Sequence, residues 1–352
     1  MLKSDFITQG PRVAEFERQL ALFCGAKYTV AVNSGTAALH CAYFAAGISE
    51  RDEIITSPNS FAATSNAALY LGAEPIFCDI RPDTYNIDEK KIEALITKQT
   101  KAIVPVHYAG HPCEMQAIKK IAKKYNLTVI DDACHALGAF YKNRRIGSKN
   151  IADLTVLSFH PVKSITTGEG GAIVTNNKKY YEKMLQFRNH GIIKKQSPAW
   201  YYEMHDLGFN YRITDIQCAL GLSQLKKIKT FIKKREDIAS YYYAKLKNTE
   251  GLVLPTSMDH IKSSWHLFPI KVNKKYREKI FNSLRRAGIG VQVFYIPIYW
   301  HPYYKKLGYK KGLCPNAEEF YESSFSLPIF PDLERKEQDF VIRTCKSILK
   351  KY

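Results

Sequence analysis

The chain has 352 residues, with 52 Lys plus Arg against 33 Asp plus Glu, a formal charge of +19. Its 45% hydrophobic and 12% aromatic content excludes a disordered chain, because burying that much apolar surface offsets the entropy of ordering the backbone. No stretch reaches the roughly 18 uninterrupted apolar residues of a membrane helix, and the lysines lie scattered at helical spacing without a nucleic-acid-binding motif, so neither a membrane nor nucleic acid is expected as a partner.

The opening MLKSDFITQG has no apolar leader core. A strand over 27–32 (KYTVAV) leads into an Ala-rich helix over 35–46 that ends at Gly47. A second strand, 53–57, runs through Pro58 into a helix over 60–71 closed by Gly72. Strands follow at 76–80, 102–107, 127–131 and 154–159, with helices near 88–97 and 113–125, and GAIVTN from Gly171 adds one more strand. From 214 to about 247 the pattern is helical almost throughout. Beyond Pro255 come a strand (265–272), a helix (277–287), a strand (289–295) and a last amphipathic helix (335–350). Such alternation predicts the α/β class, with a mainly parallel mixed sheet in a large domain over 1–235. The changed order predicts a small α+β domain over 236–352. The eight cysteines stand singly, mostly inside apolar runs and without metal-site spacing, as buried reduced thiols of a cytoplasmic protein do.

Neither GxGxxG after the first strand nor GxxxxGK[ST] occurs, so a classical dinucleotide fold and a P-loop are unsupported. Polar residues collect instead at the C-terminal ends of predicted strands, where open α/β sheets place their ligands. Asn33, Ser34, Gly35 and Thr36 open a helix and aim free N–H groups at an anion, although a plain N-cap has the same pattern. Asp131, Asp132 and His135 follow another strand, as a grip on a ring nitrogen and a neighbouring oxygen or as a capped turn. Lys163, after Ser158 and the turn residue Pro161, sits where burial favours a neutral, nucleophilic amine. Phe61 offers a ring for stacking or for the core, and Gly208 to Arg212 (GFNYR) offers an amide and a guanidinium or another cap.

The ordered runs NSGTAALH, SFAATSNAAL, DDACHALGA, SFHPVKSITTGEGGAIVTN and GFNYRITDIQCALGLSQL resemble the DegT-type sugar-nucleotide aminotransferases over essentially the whole chain. The resemblance implies the aspartate-aminotransferase fold (fold type I), pyridoxal 5'-phosphate as cofactor and a homodimer with composite active sites. It makes Lys163 the residue that carries the cofactor and Asp132 the partner of the pyridine nitrogen. His135 would lie by the ring hydroxyl, Phe61 would stack on the ring, and Gly35, Thr36 and Ser158 would bind the phosphate with Asn210 of a second subunit. Asp5, Phe6, Ile7 and Thr8, together with Gln292, Val293, Phe294 and Tyr295, would bind the nucleotide sugar. Lysine rather than histidine at 163 implies transamination rather than dehydration. Within the family, SFHPVK, KSSWHLFPI and SLPIFP resemble members that serve pseudaminic acid biosynthesis. This implies L-glutamate as donor and UDP-2-acetamido-2,6-dideoxy-β-L-arabino-hexos-4-ulose as acceptor, with other UDP- or GDP-linked 4-keto-6-deoxy sugars as alternatives. The alternative of another class is a non-catalytic basic binding or sensory protein. Three departures from the family pattern stand out: a further stretch usually precedes LKSDFITQG, Ser164 replaces a frequent Pro, and Phe294 replaces a frequent His.

Overall fold

A computed structural model describes residues 5–194 and 197–352. Its principal sheet has seven strands, numbered here in chain order: β1 (Tyr28–Val32), β2 (Glu53–Thr56), β3 (Glu74–Phe77), β4 (Thr100–Val104), β5 (Thr128–Asp132), β6 (Leu154–Ser158) and β7 (Gly171–Thr175). They lie in the order β1-β7-β6-β5-β4-β2-β3. All neighbours pair in parallel except at β7, which runs antiparallel to both β1 and β6. The short apolar runs form this sheet because both of its faces are covered. Val30, Ile54, Ile130, Val156 and Ile173 enter one core, while Ala31, Ile55, Val129, Leu157 and Val174, each one position away, enter the other. That is the period-2 alternation of a strand buried on both sides.

Helix α1 (Pro11–Cys24) covers one face with Phe16, Leu20 and Cys24, and α2 (Gly35–Ala45) covers the other. Helix α1 escapes the sequence reading, which finds no element before 27. It begins with Pro at its first position and ends at Gly25 in a left-handed conformation, the cap signals that would have revealed it. Helix α2 is nearly all buried, which suits its Ala-rich composition, and the Ser34 hydroxyl caps it by accepting from Ala37 N at 3.0 Å.

The helical stretch predicted over 214–247 is two helices, Asp215–Leu225 and Ile228–Leu246, parted at Lys226 and Lys227. A Thr214–Gln217 capping box starts the first of them. The second carries Ile238, Tyr242 and Leu246 into a separate core shared with the helices Arg277–Arg286 and Arg335–Leu349. That core also takes Phe268 and Ile270 of β8 (Phe268–Lys271) and Phe325 and Leu327 of β9 (Ser324–Leu327), an antiparallel pair. The strand predicted over 289–295 is corrected: the segment makes one bridge, Gln292 to Ser326, and is otherwise irregular. Its apolar residues Ile289 and Val291 fill core positions while its pairing with β9 is confined to Gln292, so hydrophobicity alone misleads here. A fourth apolar cluster joins Phe77, Tyr85 and Tyr108 to Leu267, Ile298, Tyr299 and Phe320. All eight cysteines are free thiols, seven of them buried. Among the described residues no helix is long and apolar enough to cross a membrane.

Candidate active site

The C-terminal ends of β1, β5 and β6 meet at a cavity of about 360 Å³. Gly35, Thr36, Phe61, Asp132, His135, Ser158 and Lys163 all line it, although the chain contributes them from widely separated stretches. Asp131 and Asp132 are adjacent on β5 and therefore face opposite ways. Asp131 is fully buried and meets His107 Nε2 at 3.0 Å, away from the cavity, whereas Asp132 enters it. The Asp132 carboxylate is fixed from two sides: Oδ2 accepts from the Thr64 hydroxyl at 2.7 Å and Oδ1 from Cys134 N at 3.1 Å.

Lys163 follows β6 on a turn closed by its own N–H to the His160 carbonyl at 2.9 Å. Burial holds its amine below the usual lysine range, opposed in part by Cys134 and Asp132. His135 is held well below its ordinary pKa, first by burial and then by Lys163, so its ring is neutral. Its Nε2 stands 3.2 Å from the Tyr295 hydroxyl, while its buried Nδ1 has no partner among the described residues. Burial also drives the Cys134 thiol, another lining group, well above its ordinary pKa.

The anion end is built by close backbone approach. The start of α2 presents N–H groups that no helical carbonyl satisfies. Gly35 packs so near β6 that a Cβ there would meet the Ser158 Cβ at 3.0 Å and its Oγ at 3.1 Å. Gly171, paired with both Val32 and Ser158, leaves still less room: a Cβ would stand 2.4 Å from the Ser34 carbonyl oxygen. Phe61 is 64% exposed at the cavity, so its ring is available to a ligand rather than committed to the core.

The remaining expected site residues are placed as follows. Phe294 and Tyr295 line the cavity, and Tyr108 anchors them by donating its hydroxyl to the Phe294 carbonyl at 2.7 Å. Gln292 lines a neighbouring cavity, and Val293 packs against the C-terminal core. Asp5, Phe6, Ile7 and Thr8 lie exposed, with Thr8 bridged to Thr214 and the Ile7 carbonyl accepting from Asp215 N. Asn210 is exposed and bridged to Asn189, and it does not line the cavity within one chain. Sequence reasoning missed Thr64. Its signal is a hydroxyl one helical turn after Phe61, in an otherwise Ala-rich run.

The donors fit pyridoxal phosphate. The Gly35–Ser158 contact is tight enough to favour glycine in the cradle, the His135 Nδ1 lacks a partner among the described residues, and a buried amine shares the cavity with a doubly anchored carboxylate. Fold and site together define a pyridoxal-phosphate-dependent aminotransferase of fold type I. The chain belongs to the DegT/DnrJ/EryC1/StrS aminotransferase family, whose model matches residues 1–346. It is 45% identical over 356 residues to the UDP-4-amino-4,6-dideoxy-N-acetyl-beta-L-altrosamine transaminase of Campylobacter jejuni, covering 99% of this chain and 93% of that protein. Among solved structures it resembles Helicobacter pylori PseC, an aminotransferase of pseudaminic acid biosynthesis, with a TM-score of 0.94 and 39% identity over 100% of this chain and 94% of PseC. It also resembles the PLP-form of Streptococcus pneumoniae Spr1654, with a TM-score of 0.93 and 31% identity over 99% of this chain and 94% of that one.

Proposed function

We propose that the protein transfers an amino group from L-glutamate to C4 of UDP-2-acetamido-2,6-dideoxy-β-L-arabino-hexos-4-ulose. The observation that carries the chemistry is the buried Lys163 amine, held toward its neutral form beside the anchored Asp132 carboxylate. The likeness to the Campylobacter jejuni transaminase supports the sugar. Pyridoxal phosphate, when bound, supplies an aldehyde for the amino group and a ring that withdraws electrons.

Lys163, Asp132, His135 and Phe61 hold the cofactor's ring end, and Gly35, Thr36 and Ser158 hold its phosphate against the N-terminus of α2. Asp132 keeps a proton at the ring nitrogen, and its hydrogen bonds from Thr64 and Cys134 N fix the carboxylate for that task. Lys163 takes a proton from the donor's reacting carbon and returns one to the sugar's C4 in the reverse half of the cycle. Such a base must be neutral to accept a proton, and burial shifts Lys163 in that direction. His135, neutral and backed by Tyr295, orients the oxygen beside the ring without adding a second positive charge next to Lys163.

The reading includes a homodimer in which Asn210 acts at the partner's cavity and the 5–8 segment binds the nucleotide sugar, supported by their exposure and by their absence from the lining of the cavity within one chain. It also takes 1–235 as the cofactor domain and 236–352 as the small domain, supported by the separate C-terminal core. A competition assay tests the substrate. With glutamate as donor, the named L-arabino keto sugar should turn over ahead of its D-xylo epimer and of GDP-linked 4-keto-6-deoxymannose. Preference for either competitor would overturn the sugar.

A further inference from the structure

Asn210 sits on a short extended segment that runs antiparallel to the chain just after the helix Lys178–Phe187, bridged there to Asn189. Phe209 N donates to the Phe187 carbonyl at 2.8 Å, Tyr211 N to the Arg188 carbonyl at 3.0 Å, and His190 N to the Phe209 carbonyl at 3.1 Å. Asn33 holds the same segment as well, its N donating to the Tyr211 carbonyl at 3.0 Å and its Nδ2 to the Asn210 carbonyl at 3.4 Å. Extended backbone sends alternate side chains to opposite faces, so Phe209 and Tyr211 share one face and Asn210 takes the other. The rings follow this pattern. Phe209 and Tyr211 stack on each other, 5.0 Å apart and 14° from parallel, and Asn210 is left exposed.

The face that turns inward meets His40, which lies in the middle of α2 and closes the run NSGTAALH. His40 is 3% exposed, and the rings of Tyr70, Phe187, Phe209 and Tyr211 surround it at 5.0 to 5.9 Å. Burial pushes its pKa down to about 4, so the ring is neutral. A neutral imidazole still carries two polar nitrogens, and these are costly among aromatic rings unless hydrogen-bonded. The one side-chain hydrogen bond it makes among the described residues joins Nδ1 and the Tyr211 hydroxyl, 3.0 Å apart. An apolar side chain would fill this space without the polar cost. What the histidine adds is direction, a tie from α2 to the segment that carries Asn210. His40 itself does not line the cofactor cavity.

We propose that His40 is a positioning residue: through the Tyr211 hydroxyl it fixes the segment from which Asn210 is presented to the cofactor phosphate in the partner subunit. This rests on the reading of the protein as a homodimer with composite sites. The tie therefore acts in trans. The start of α2 serves the anion end of its own chain's cavity, while His40, one and a half turns further along the same helix, serves the cavity of the other chain. Action in cis, by steadying the start of α2, is the competing role, and hybrid dimers separate the two.

Tyr211→Phe removes the hydroxyl but keeps the ring and its stack on Phe209, and His40→Phe removes the same bond from the other end. Each homodimer should need roughly 3- to 10-fold more pyridoxal phosphate to half-saturate the borohydride-fixed chromophore, the effect of one hydrogen bond. The double variant should lose no more than either single one, since both deletions remove one interaction. Fixation counts only sites that keep Lys163. In a hybrid of a Tyr211→Phe chain with a Lys163→Ala chain, made by co-expressing differently tagged copies, the remaining Lys163 site takes its Asn210 from the chain whose His40 and Tyr211 are intact. Its cofactor affinity should return to that of the unaltered protein. Destabilisation of the Tyr211→Phe chain would stay with that chain's own site, so improved folding cannot produce the recovery. A hybrid as weak as the Tyr211→Phe homodimer would make the tie act in cis, and unchanged affinity in both homodimers would reduce it to packing. Either outcome overturns the assignment while leaving the composite site standing. The reference hybrid pairs Asn210→Ala with Lys163→Ala: if it stays as weak as the Asn210→Ala homodimer, the composite reading falls and the assignment falls with it.

Discussion

Gly171→Ala probes the anion cradle through the backbone alone. The added Cβ would lie 2.4 Å from the Ser34 carbonyl oxygen, 2.6 Å from the Ser34 carbonyl carbon and 2.8 Å from Gly35 N, where ordinary contact begins near 3.4 Å. Relief therefore requires about 1 Å of movement, and every clashing atom is backbone, so no flexible side chain can absorb it. Strand β7 is held on both sides, by β1 and β6, which leaves the start of α2 as the part that moves. Overpacking of this kind costs about 1–3 kcal/mol, and the backbone neighbours place it at the upper end. In a protein of this size that lowers Tm by roughly 5 °C. The functional effect is larger, because about 1 Å of misplacement at a ligand-positioning group can cost ~100-fold in rate. Gly168→Ala is the control: it has φ +81° but empty space around the new Cβ, so it should lose only about 1 kcal/mol and retain the cofactor. The assay pairs thermal unfolding with the cofactor absorbance that survives gel filtration. Equal cofactor retention in the two variants would refute the claim that the Gly171–Ser34 contact builds the phosphate site.

Lys163→Ala should abolish turnover and the borohydride-fixable yellow chromophore; undiminished activity would remove the central assignment. Asp132→Asn should fold and bind some cofactor but lose most turnover, whereas Asp131→Asn, which unbalances the buried pair with His107, should lower Tm with much less effect on the chemistry. Mixing a Lys163 variant with an Asn210 variant should restore part of the activity through hybrid dimers, and an active monomer would contradict the composite site. Burial pushes the pKa of His40 and of His111 down to about 4. The unfolded chain therefore binds more protons between pH 6.5 and 4, and stability present above 6.5 is lost as pH falls, by about 3 kcal/mol per histidine at the acid end. His40→Phe, which fits the aromatic surround of Tyr70, Phe187 and Phe209, should flatten that slope in Tm against pH.

The large sheet was legible because its strands are short β-branched runs ended by polar residues, and two-sided burial leaves little alternative for KYTVAV or LTVLS. Lys163, Asp132 and Gly35 stood out for a related reason: each is a chemistry-bearing or space-saving residue at the end of such a run. Residues 289–295 misled because apolar content signals burial but not whether a neighbouring strand supplies hydrogen bonds. Thr64 was invisible for want of a partner: a threonine in a helix has no special local pattern. Its meaning comes from Asp132. The 5–8 segment and Asn210 were assigned by likeness alone: nothing local marks an exposed stretch as sugar-binding, and spacing along a chain carries no information about a second subunit that would use Asn210.

The cavity holds two nucleophiles, the Lys163 amine and the Cys134 thiol, and an aldehyde reacts with both classes. Low polarity acts on them in opposite senses. An amine sheds its charge by giving up a proton and so becomes reactive, whereas a thiol avoids charge by keeping its proton and so becomes inert. One physical cause thus selects nitrogen over sulfur. No dedicated residue is then needed to block the cysteine, because the same low polarity that favours the neutral amine disfavours the thiolate.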